Sequence, residues 1–253
     1  VDTLGVDIGG TKIAVARVSA SGEVLHSVSA PTPADDPAAL LEVVADLVRQ
    51  MDGPGVSPTV GVACAAFVNE TREHVYLAPN IAWRDYPLRA DLEAALERPV
   101  VIENDANAAG LAEFEHGAGR GARSMVLLTI GTGVGGAVIS EGTLLTGGFG
   151  VGAELGHVIV EPGGRLCGCG SRGCLEQYAS GTALVRHASE LLDRPVSAEE
   201  LRVLLEAGDA RAHEALSWVG TQIGRALVTL VAVLDPNVVV IGGGVSDEIG
   251  RAS

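Results

Sequence analysis

The chain opens with alternating hydrophobic positions that are interrupted by a glycine pair. The alternating positions are Leu4, Val6, Ile8, Ile13 and Val15. A two-residue period is typical of a β-strand with one buried face, so the pattern predicts a strand, a tight turn and a second strand. Ser21-Gly22 predicts a further turn into a third strand.

A helical period replaces this alternation from residue 38 onwards. Asp36 and Pro37 have the residue types preferred at a helix N-cap and at the first helical position, so they predict a helix over residues 38–51. The same reading predicts strands over 60–65 and 100–103, and helices over 88–96 and 106–116.

The second half of the chain repeats the opening pattern. The segment MVLLTIGTGVGGAVISEGTLL, which begins at Met125, again predicts strand, glycine turn, strand and turn, as a weak internal repeat. The pattern next predicts three helices: one over 180–192, one that starts from a capping box at 197–200, and one over 209–234. A strand over 238–241 follows. Two halves of similar design predict two related α/β lobes with a cleft between them.

Composition and charge exclude several classes of protein. An apolar share of 47% excludes a disordered chain. The apolar run 226–234 is much shorter than the about 20 residues that span a bilayer, and the N-terminus lacks a signal-peptide pattern. We therefore expect a cytoplasmic protein with no membrane partner. A net charge of -15 repels nucleic-acid phosphate, so no nucleic-acid partner is expected.

The first glycine cluster, VDIGGTK, differs from a P-loop. Thr11 and Lys12 stand in the reverse order, and a β-branched run follows instead of the helix whose N-terminus binds phosphate. The alternative is a phosphate-binding hairpin, in which Gly9 and Gly10 let the backbone approach an anion and Thr11 offers a hydroxyl. Asp7 could hold Mg²⁺ directly or through water. Glycines that merely form the turn explain the pattern equally well.

Two further glycine clusters follow predicted strands. GTGVGG has the G-x-G-x-x-G spacing from Gly131, but it leads into a strand, whereas a dinucleotide-binding fingerprint opens a helix. A nicotinamide-dependent oxidoreductase is therefore disfavoured. A second phosphate turn, with Thr132 and the amides around Gly133 facing a nucleotide, fits better. The third cluster, IGGGVS, either receives a nucleoside at Gly243 and Gly244 or simply turns the chain from strand to helix.

Three polar residues follow the strand predicted over 100–103. They are Asn104, Asp105 and Asn107, at the start of a predicted helix. Reactive side chains of α/β proteins often lie at the carboxyl ends of strands. One of these residues is expected to cap the helix, but three exceed what one cap needs. The carboxylate of Asp105 could accept a proton from a substrate hydroxyl.

Three of the four cysteines lie in the segment CGCGSRGC. Cys167, Cys169 and Cys174 would supply three of the four ligands of a structural zinc site. His157 is the expected fourth ligand, because a Pro-Gly-Gly turn can fold the chain back towards it and the other histidines have no cysteine neighbour. Reduced, inert thiols are the alternative, although glycine-spaced cysteines make poor core material. Cys64, in an apolar segment, is expected to be an ordinary buried thiol.

In order and spacing, these segments resemble the ROK family of sugar kinases and repressors. The matching segments are VDIGGTK, ENDANAA, GTGVGG, GAELGH and CGCGSRGCLE, and the likeness runs over residues 1–246. The resemblance implies the hexokinase/actin-like (ribonuclease H-like) fold, with two α/β lobes, sugar in the cleft and ATP against the larger lobe. We expect a smaller lobe over 1–115 and a larger lobe over 116–253, with a zinc-binding insertion over 157–176.

The resemblance also implies an activity and the residues that perform it. The activity is phosphorylation of glucose by ATP with Mg²⁺, and Asp105 is the implied base that deprotonates the sugar hydroxyl. The implied sugar contacts are Asn80, Asn104, Asp105, Glu154, His157 and Glu176. The expected nucleotide contacts are Asp7, Gly9, Gly10, Thr11, Lys12, Gly131, Thr132, Gly133, Gly243 and Gly244. Zinc on His157 and the three cysteines would fix the sugar-binding side chains without touching the phosphates.

Several alternatives stay open within this resemblance. The sugar could be mannose, fructose or N-acetylmannosamine, and polyphosphate could replace ATP as donor. A sugar-responsive repressor is disfavoured by the acidic charge and by a chain that starts on the first hairpin. The family is commonly dimeric or tetrameric, so we expect a homodimer or homotetramer. Two departures from the family's pattern are Cys64-Ala65-Ala66-Phe67, where its glucokinases usually have A-P-G-F, and an end at Ser253, beyond which relatives continue.

Overall fold

The computed structural model describes residues 1–245, which form two compact units. The first unit contains Val1–Arg120 and Leu145–Gly152, and the second contains Gly121–Leu144 and the chain from Ala153 onwards. Residues 246–253, the end of the predicted larger lobe, lie outside the described residues. The lobe boundary expected at residues 115 and 116 stays a prediction.

The first unit contains eight strands and three helices. In chain order these are β1 (Asp2–Ile8), β2 (Lys12–Val18), β3 (Val24–Pro31), α1 (Pro37–Met51), β4 (Val56–Cys64), β5 (Phe67–Val68), β6 (Val75–Leu77), β7 (Arg84–Tyr86), α2 (Leu88–Leu96), β8 (Val100–Asn104) and α3 (Asp105–Glu115). All the strands and helices predicted for this half are therefore confirmed, within a few residues at their ends. The three short strands β5 to β7 were not predicted.

The main sheet of the first unit has the strand order β3-β2-β1-β4-β8. Strands β1, β4 and β8 are parallel, and β2 and β3 are antiparallel to their neighbours. Leu4, Val6 and Ile8 are buried in one core with side chains of α1 and α2, and each contributes about 1.5–3 kcal/mol of burial free energy. The register pairs Ile8 with Cys64 and Cys64 with Asn104, so the three parallel strands end at one edge of the sheet.

Local capping determines where α1 begins. The side chain of Asp36 accepts hydrogen bonds from the backbone N–H groups of Ala38 and Ala39. Pro37 lacks an N–H and occupies the first helical position, where none is needed. Both predicted signals are present, and they fix the helix start within its first turn.

The second unit contains four strands, four helices and a short 3₁₀ turn within the described residues. In chain order these are β9 (Met125–Ile130), β10 (Val134–Ser140), β11 (Thr143–Leu144), the 3₁₀ turn (Leu155–His157), α4 (Glu176–Ala179), α5 (Gly181–Leu191), α6 (Ala198–Glu206), α7 (Ala210–Leu234) and β12 (Val238–Gly242). Strand β9 pairs antiparallel with β10 and parallel with β12, just as β1 pairs with β2 and β4. The strand pairing therefore follows the internal repeat.

Helix α7 is the one element of the described residues with the length and composition of a membrane span, at a mean hydropathy of 1.4. The uninterrupted apolar run 226–234 covers only part of this helix, because polar residues separate its apolar stretches. Leu216, Val219 and Ile223 of this helix are buried in the core of the second unit. Length and composition are weak evidence for a span, since core helices pass the same test.

Candidate active site

The turn between β1 and β2 is held by hydrogen bonds to its carbonyl groups. Gly9 N donates to Lys12 O at 3.1 Å, Thr32 N donates to Thr11 O at 3.0 Å, and Thr32 Oγ1 donates to Gly9 O at 2.7 Å. Strand β2 follows directly. The predicted hairpin is confirmed, and the helix that a P-loop requires does not follow the turn.

Gly10 in this turn lies against Asn80. A Cβ at Gly10 would be 2.6 Å from the Asn80 Cβ, well inside van der Waals contact, so a side chain there would displace one of the two segments. Asn80 lies in the loop between β6 and β7, which is closed by a hydrogen bond from Ala78 N to Trp83 O at 3.2 Å. Trp83 is fully buried and anchors this loop in the core. The structure thus joins a predicted phosphate turn to a predicted sugar contact.

Asp7 lies one residue before the end of β1. Partial burial raises the pKa of its carboxyl, and the positive charge of Lys12 works in the opposite direction. Carboxylate oxygens, together with retained waters, are the ligands that Mg²⁺ prefers in proteins. Asp7 therefore fits its predicted contact with a magnesium-bound nucleotide.

At the junction of β8 and α3, the capping residue is Asn104. Its Oδ1 accepts the backbone N–H of Asn107 at 3.0 Å, and its Nδ2 donates to Ala66 O at 3.2 Å. The second N–H of this amide can still donate to a ligand. Because Asn104 performs the capping, the carboxylate of Asp105 is not required for it. The helix cap expected among these residues is therefore Asn104, and the role of Asp105 as a base stays a prediction.

Asp105 is the first residue of α3, and its side chain reaches solvent. The protein around it still removes part of its hydration, which raises the pKa of Asp105. The hydrogen bond from Ala106 N at 2.9 Å opposes this rise, and the negative charge of Asp7 adds to it. A carboxylate with a raised pKa is a stronger base than an ordinary aspartate, as general-base catalysis requires.

Sequence reasoning missed Glu103 and Arg72 beside this junction. Glu103 Oε2 accepts Arg72 Nε at 2.7 Å, and its Oε1 accepts Asn104 N at 2.9 Å and Asn107 Nδ2 at 3.0 Å. The available signal was a carboxylate next to the last residue of strand β8. Arg72 had none, since it lies in a turn of the unpredicted small sheet β5-β6-β7.

The two alanines that depart from the family's pattern fit the backbone without strain. Neither Ala65 nor Ala66 has a positive φ. Ala65 N donates to Ile8 O at 3.2 Å, so the segment stays tied to the end of β1. Ala66 is buried and its carbonyl receives the Asn104 amide. Cys64 is also fully buried, as predicted, and burial raises the pKa of its thiol.

The second glycine turn is supported by the amino end of α5. Gly181 N donates to Gly131 O at 2.7 Å, and Thr182 Oγ1 donates to Thr132 O at 2.9 Å. Strand β10 follows this turn, so the expectation that no dinucleotide fingerprint is present here is confirmed. The two carbonyls are bound to residues of α5, and Gly131 N donates to Gly133 O at 3.0 Å, which leaves the N–H groups of Thr132 and Gly133 for a ligand.

The third glycine cluster lies against the end of β9. Val245 N donates to Ile130 O at 3.0 Å, and Ile130 immediately precedes the second glycine turn. Gly243 and Gly244 follow β12, which runs parallel to β9. Two glycine clusters therefore meet at the carboxyl ends of adjacent parallel strands, where α/β folds commonly bind nucleotides.

The four predicted metal ligands come together in the second unit. The donor atoms of His157, Cys167, Cys169 and Cys174 all lie within 4.8 Å of one another. Cys167 Sγ is 3.7 Å from His157 Nδ1, and the Sγ atoms of Cys169 and Cys174 are 3.6 Å apart. Zn–S bonds of about 2.3 Å in a tetrahedron place neighbouring sulfurs about 3.8 Å apart. An antiparallel β-bridge between Ile159 and Cys174 brings the cysteine segment back towards His157. The donor set fits zinc.

Glu176 lies between this cluster and the second glycine turn. Its Oε2 accepts Val134 N at 3.2 Å, and its Oε1 is 3.8 Å from Cys167 Sγ. A Cβ at Gly133 would be 2.6 Å from Glu176 Oε2, so the carboxylate occupies space that only glycine leaves open. Glu154 precedes the 3₁₀ turn, and its carbonyl accepts His157 N at 3.0 Å. The cluster thus contacts the predicted sugar-binding residue Glu176, which in turn lies against Gly133 of the predicted phosphate turn.

Comparison with known proteins shows the family to which the chain is similar. Residues 3–250 match the sequence model of the ROK family. The chain is 41% identical over 265 residues to a glucokinase of Streptomyces coelicolor, covering 97% of this chain and 83% of that protein. It is 35% identical over 246 residues to an N-acetylmannosamine kinase of Escherichia fergusonii, covering 96% of this chain and 83% of that protein.

The structure is similar to a solved structure of the same kind. The ROK family glucokinase from Streptomyces griseus in complex with glucose and AMPPNP has a TM-score of 0.87 and 39% sequence identity, over 98% of this chain and 85% of that one. This likeness confirms the hexokinase/actin-like fold expected from the sequence.

Proposed function

Because this chain belongs to the ROK family, we propose that it is a glucokinase, which transfers the γ-phosphoryl group of ATP to the 6-hydroxyl of glucose. The glucokinase of Streptomyces coelicolor and the Streptomyces griseus structure with glucose and an ATP analogue support both substrates. The family model spans residues 3–250, so all the candidate site residues lie within the matched range.

The observation that carries the chemistry is the placement of Asp105. Its carboxylate is exposed at the head of α3, is not needed to cap the helix, and has a raised pKa. We assign it as the base that takes the proton of the 6-hydroxyl while that oxygen attacks the γ-phosphorus. The bond from this phosphorus to the bridging oxygen breaks, ADP leaves with the electron pair, and the proton stays on Asp105 until solvent removes it.

We propose that glucose is held by amide, carboxylate and imidazole groups from several segments. The sugar contacts are Asn80, Asn104, Glu154, His157 and Glu176, besides Asp105. The free N–H of the Asn104 amide supports this role, because it can donate to a hydroxyl while the rest of the side chain caps α3. Positioning of this kind supplies much of the rate in phosphoryl transfer.

We propose that the glycine turns hold ATP. The amides of Gly10 and Thr11, with the charge of Lys12, suit the phosphates. The N–H of Gly9 is bound to Lys12 O, so Gly9 would contribute by letting the backbone approach them. Asp7 would hold Mg²⁺ directly or through water. The turn over Gly131–Gly133 would hold further phosphate oxygens, and Gly243 with Gly244 would face the nucleoside. Bound Mg²⁺ would neutralise charge on the phosphates.

We propose that the Cys₃His cluster holds a structural zinc ion. Four protein ligands leave no open position, which excludes a catalytic role for the ion. Its ligand His157 and its neighbour Glu176 are proposed sugar contacts, so the ion would fix their side chains. The contact between Glu176 and Val134 N extends this support to the second phosphate turn.

The deciding experiment measures turnover of hexoses and donors. Glucose, mannose, fructose and N-acetylmannosamine are each supplied with ATP and Mg²⁺, and ADP release is followed in a coupled assay. We expect glucose to have the highest kcat/KM. Turnover of another hexose without turnover of glucose would replace the substrate assignment, and glucose 6-phosphate formation from polyphosphate alone would replace the donor. In the same assay Asp105→Asn should lose turnover, and Asp46→Asn, at an exposed ion pair on α1, is its matched control.

The N-acetylmannosamine kinase of Escherichia fergusonii favours one alternative, phosphorylation of that amino sugar.

We also propose a cytoplasmic location, where ATP is available and the cysteines stay reduced; all four are free thiols in the structure. For the assembly we propose a homodimer or homotetramer, which light scattering during size-exclusion chromatography would distinguish from a monomer.

A further inference from the structure

We propose that Glu103 and Arg72 are positioning residues, which fix the strand-to-helix junction that carries Asp105. This inference rests on the proposed function, because it assumes that Asp105 is the base. Neither residue belongs to the sugar, nucleotide or metal contacts assigned above. Both act through the backbone on either side of Asp105 and touch no substrate.

Glu103 joins the last residue of β8 to the first turn of α3. Its Oε1 accepts the backbone N–H of Asn104 at 2.9 Å and the side-chain N–H of Asn107 at 3.0 Å. Asn107 is buried, and its own N–H is bound to Asn104 Oδ1. Asp105 lies between these two bound residues in the chain, so its backbone is held from both sides.

Arg72 connects this junction to the small sheet. Its Nε donates to Glu103 Oε2 at 2.7 Å, and its Nη1 donates to Asn69 O at 2.8 Å. The turn that carries Arg72 is itself closed, because Asn69 Oδ1 accepts the N–H groups of Glu73 and His74 at 2.9 and 3.0 Å. The arginine therefore reaches Glu103 from a fixed point, and its backbone takes the unusual φ of 58° that this turn requires.

The burial of this pair separates it from the surface ion pairs of the chain. The side chains of Arg72 and Glu103 are 19% and 17% exposed, whereas those of Arg123 and Glu141 are 76% and 65% exposed. Water screens an exposed pair and replaces its hydrogen bonds readily, but it does so poorly for a covered pair. Loss of Arg72 would leave the Glu103 carboxylate short of a donor, and we expect Glu103 to rotate away from Asn104.

The reaction is sensitive to such a rotation because the base must meet the sugar hydroxyl at hydrogen-bond distance. A displacement of 1 Å costs on the order of 100-fold in rate, so a displacement of a few tenths of an ångström costs roughly 10-fold. Glucose binding depends on several other side chains and should change less. The expected signature is therefore a lower kcat with a nearly unchanged KM for glucose.

The test uses Glu103→Gln, Arg72→Gln and the double variant, with Glu141→Gln as the matched control. Gln at position 103 keeps an acceptor for Asn104 N but presents N–H groups to Arg72. We expect each single variant to lower kcat about 10-fold, with the KM for glucose within about threefold of wild type. The kcat of the double variant should be no lower than that of the less active single variant, because both changes remove the same ion pair. Glu141→Gln should retain wild-type kcat.

Thermal unfolding and calorimetric glucose binding are measured on every variant. If Glu103→Gln does not fold, Arg72→Gln decides the outcome. Folded single variants with kcat within twofold of Glu141→Gln would overturn the inference, and so would losses that multiply in the double variant. Absence of wild-type turnover with every hexose overturns the proposed function instead, and this inference with it. Wild-type turnover combined with normal variants overturns the positioning role alone.

Discussion

Gly10→Ala tests whether the first phosphate turn and Asn80 form one rigid arrangement. The new Cβ would lie 2.6 Å from the Asn80 Cβ, whereas an ordinary contact between carbon atoms is about 3.5–4.0 Å. The two segments must therefore separate by about 1 Å. The Asn80 Cβ cannot rotate away as the end of a long side chain could, because it is attached directly to the backbone. Either the turn or the loop that carries Asn80 has to move.

This separation predicts effects on both stability and turnover. Overpacking of this kind costs about 1–3 kcal/mol, and each kcal/mol lowers the Tm of a chain of this size by about 2–4 °C. A displacement of about 1 Å at positioning groups lowers the rate on the order of 100-fold. Because the turn and Asn80 are assigned to ATP and glucose, we expect kcat to fall and the KM values of both substrates to rise.

The assay compares Gly10→Ala with Gly5→Ala in the same hairpin. A Cβ at Gly5 meets nothing within 4 Å, so this control adds the same methyl group without a clash. Coupled kinetics with varied glucose and varied ATP give kcat and both KM values, and scanning calorimetry gives Tm. If folded Gly10→Ala matched Gly5→Ala within twofold in all three kinetic constants, the contact with Asn80 would have no functional consequence and the reasoning would be refuted.

Three further predictions concern the base, the second turn and the metal. Asp105→Asn should lower kcat about 10²–10⁴-fold and keep glucose binding, measured by calorimetry; near-normal kcat would remove it as the base. The raised pKa of Asp105 means that its ionised form destabilises the fold, so the Asn variant should have the higher free energy of unfolding at neutral pH, with the advantage vanishing below about pH 4. Wild-type kcat should fall on the acid side as this carboxylate protonates. Gly133→Ala should displace the Glu176 carboxylate from Val134 N. We expect the free energy of unfolding to fall by about 0.5–1.5 kcal/mol and the KM for glucose to rise several-fold. An unchanged KM would contradict a role for the contact between Glu176 and Val134 N. Cys169→Ser should lose zinc in elemental analysis and raise the KM for glucose, and unchanged kinetics in the metal-free protein would remove the role of the ion.

Local patterns in the sequence predicted the regular elements well. The alternation at Leu4, Val6 and Ile8 predicted β1, and Asp36 with Pro37 predicted the start of α1. Such signals depend on residues close together in the chain, which is why they can be read without the fold. The strands β5 to β7 escaped prediction because they have two or three residues each, too few to show a period.

Part of the candidate site could also be predicted from spacing. Three cysteines in eight residues required a fourth ligand, and His157 lies beside them in the structure. Asp105 was identified as a candidate base from its place after a strand, but seen in isolation the sequence favoured a helix cap among these residues. Only the hydrogen bonds of Asn104 showed which residue caps the helix.

The sequence by itself determined the longer strands, the helices, the glycine turns and the four candidate metal ligands, because each depends on residue types at short range. The tertiary structure alone decided which of these segments meet. The contact between Gly10 and Asn80, the ion pair between Arg72 and Glu103, and the register that aligns the ends of β1, β4 and β8 all join residues far apart in the chain. Such contacts follow from the packing of one sheet and its core, and no local pattern of residue types encodes them.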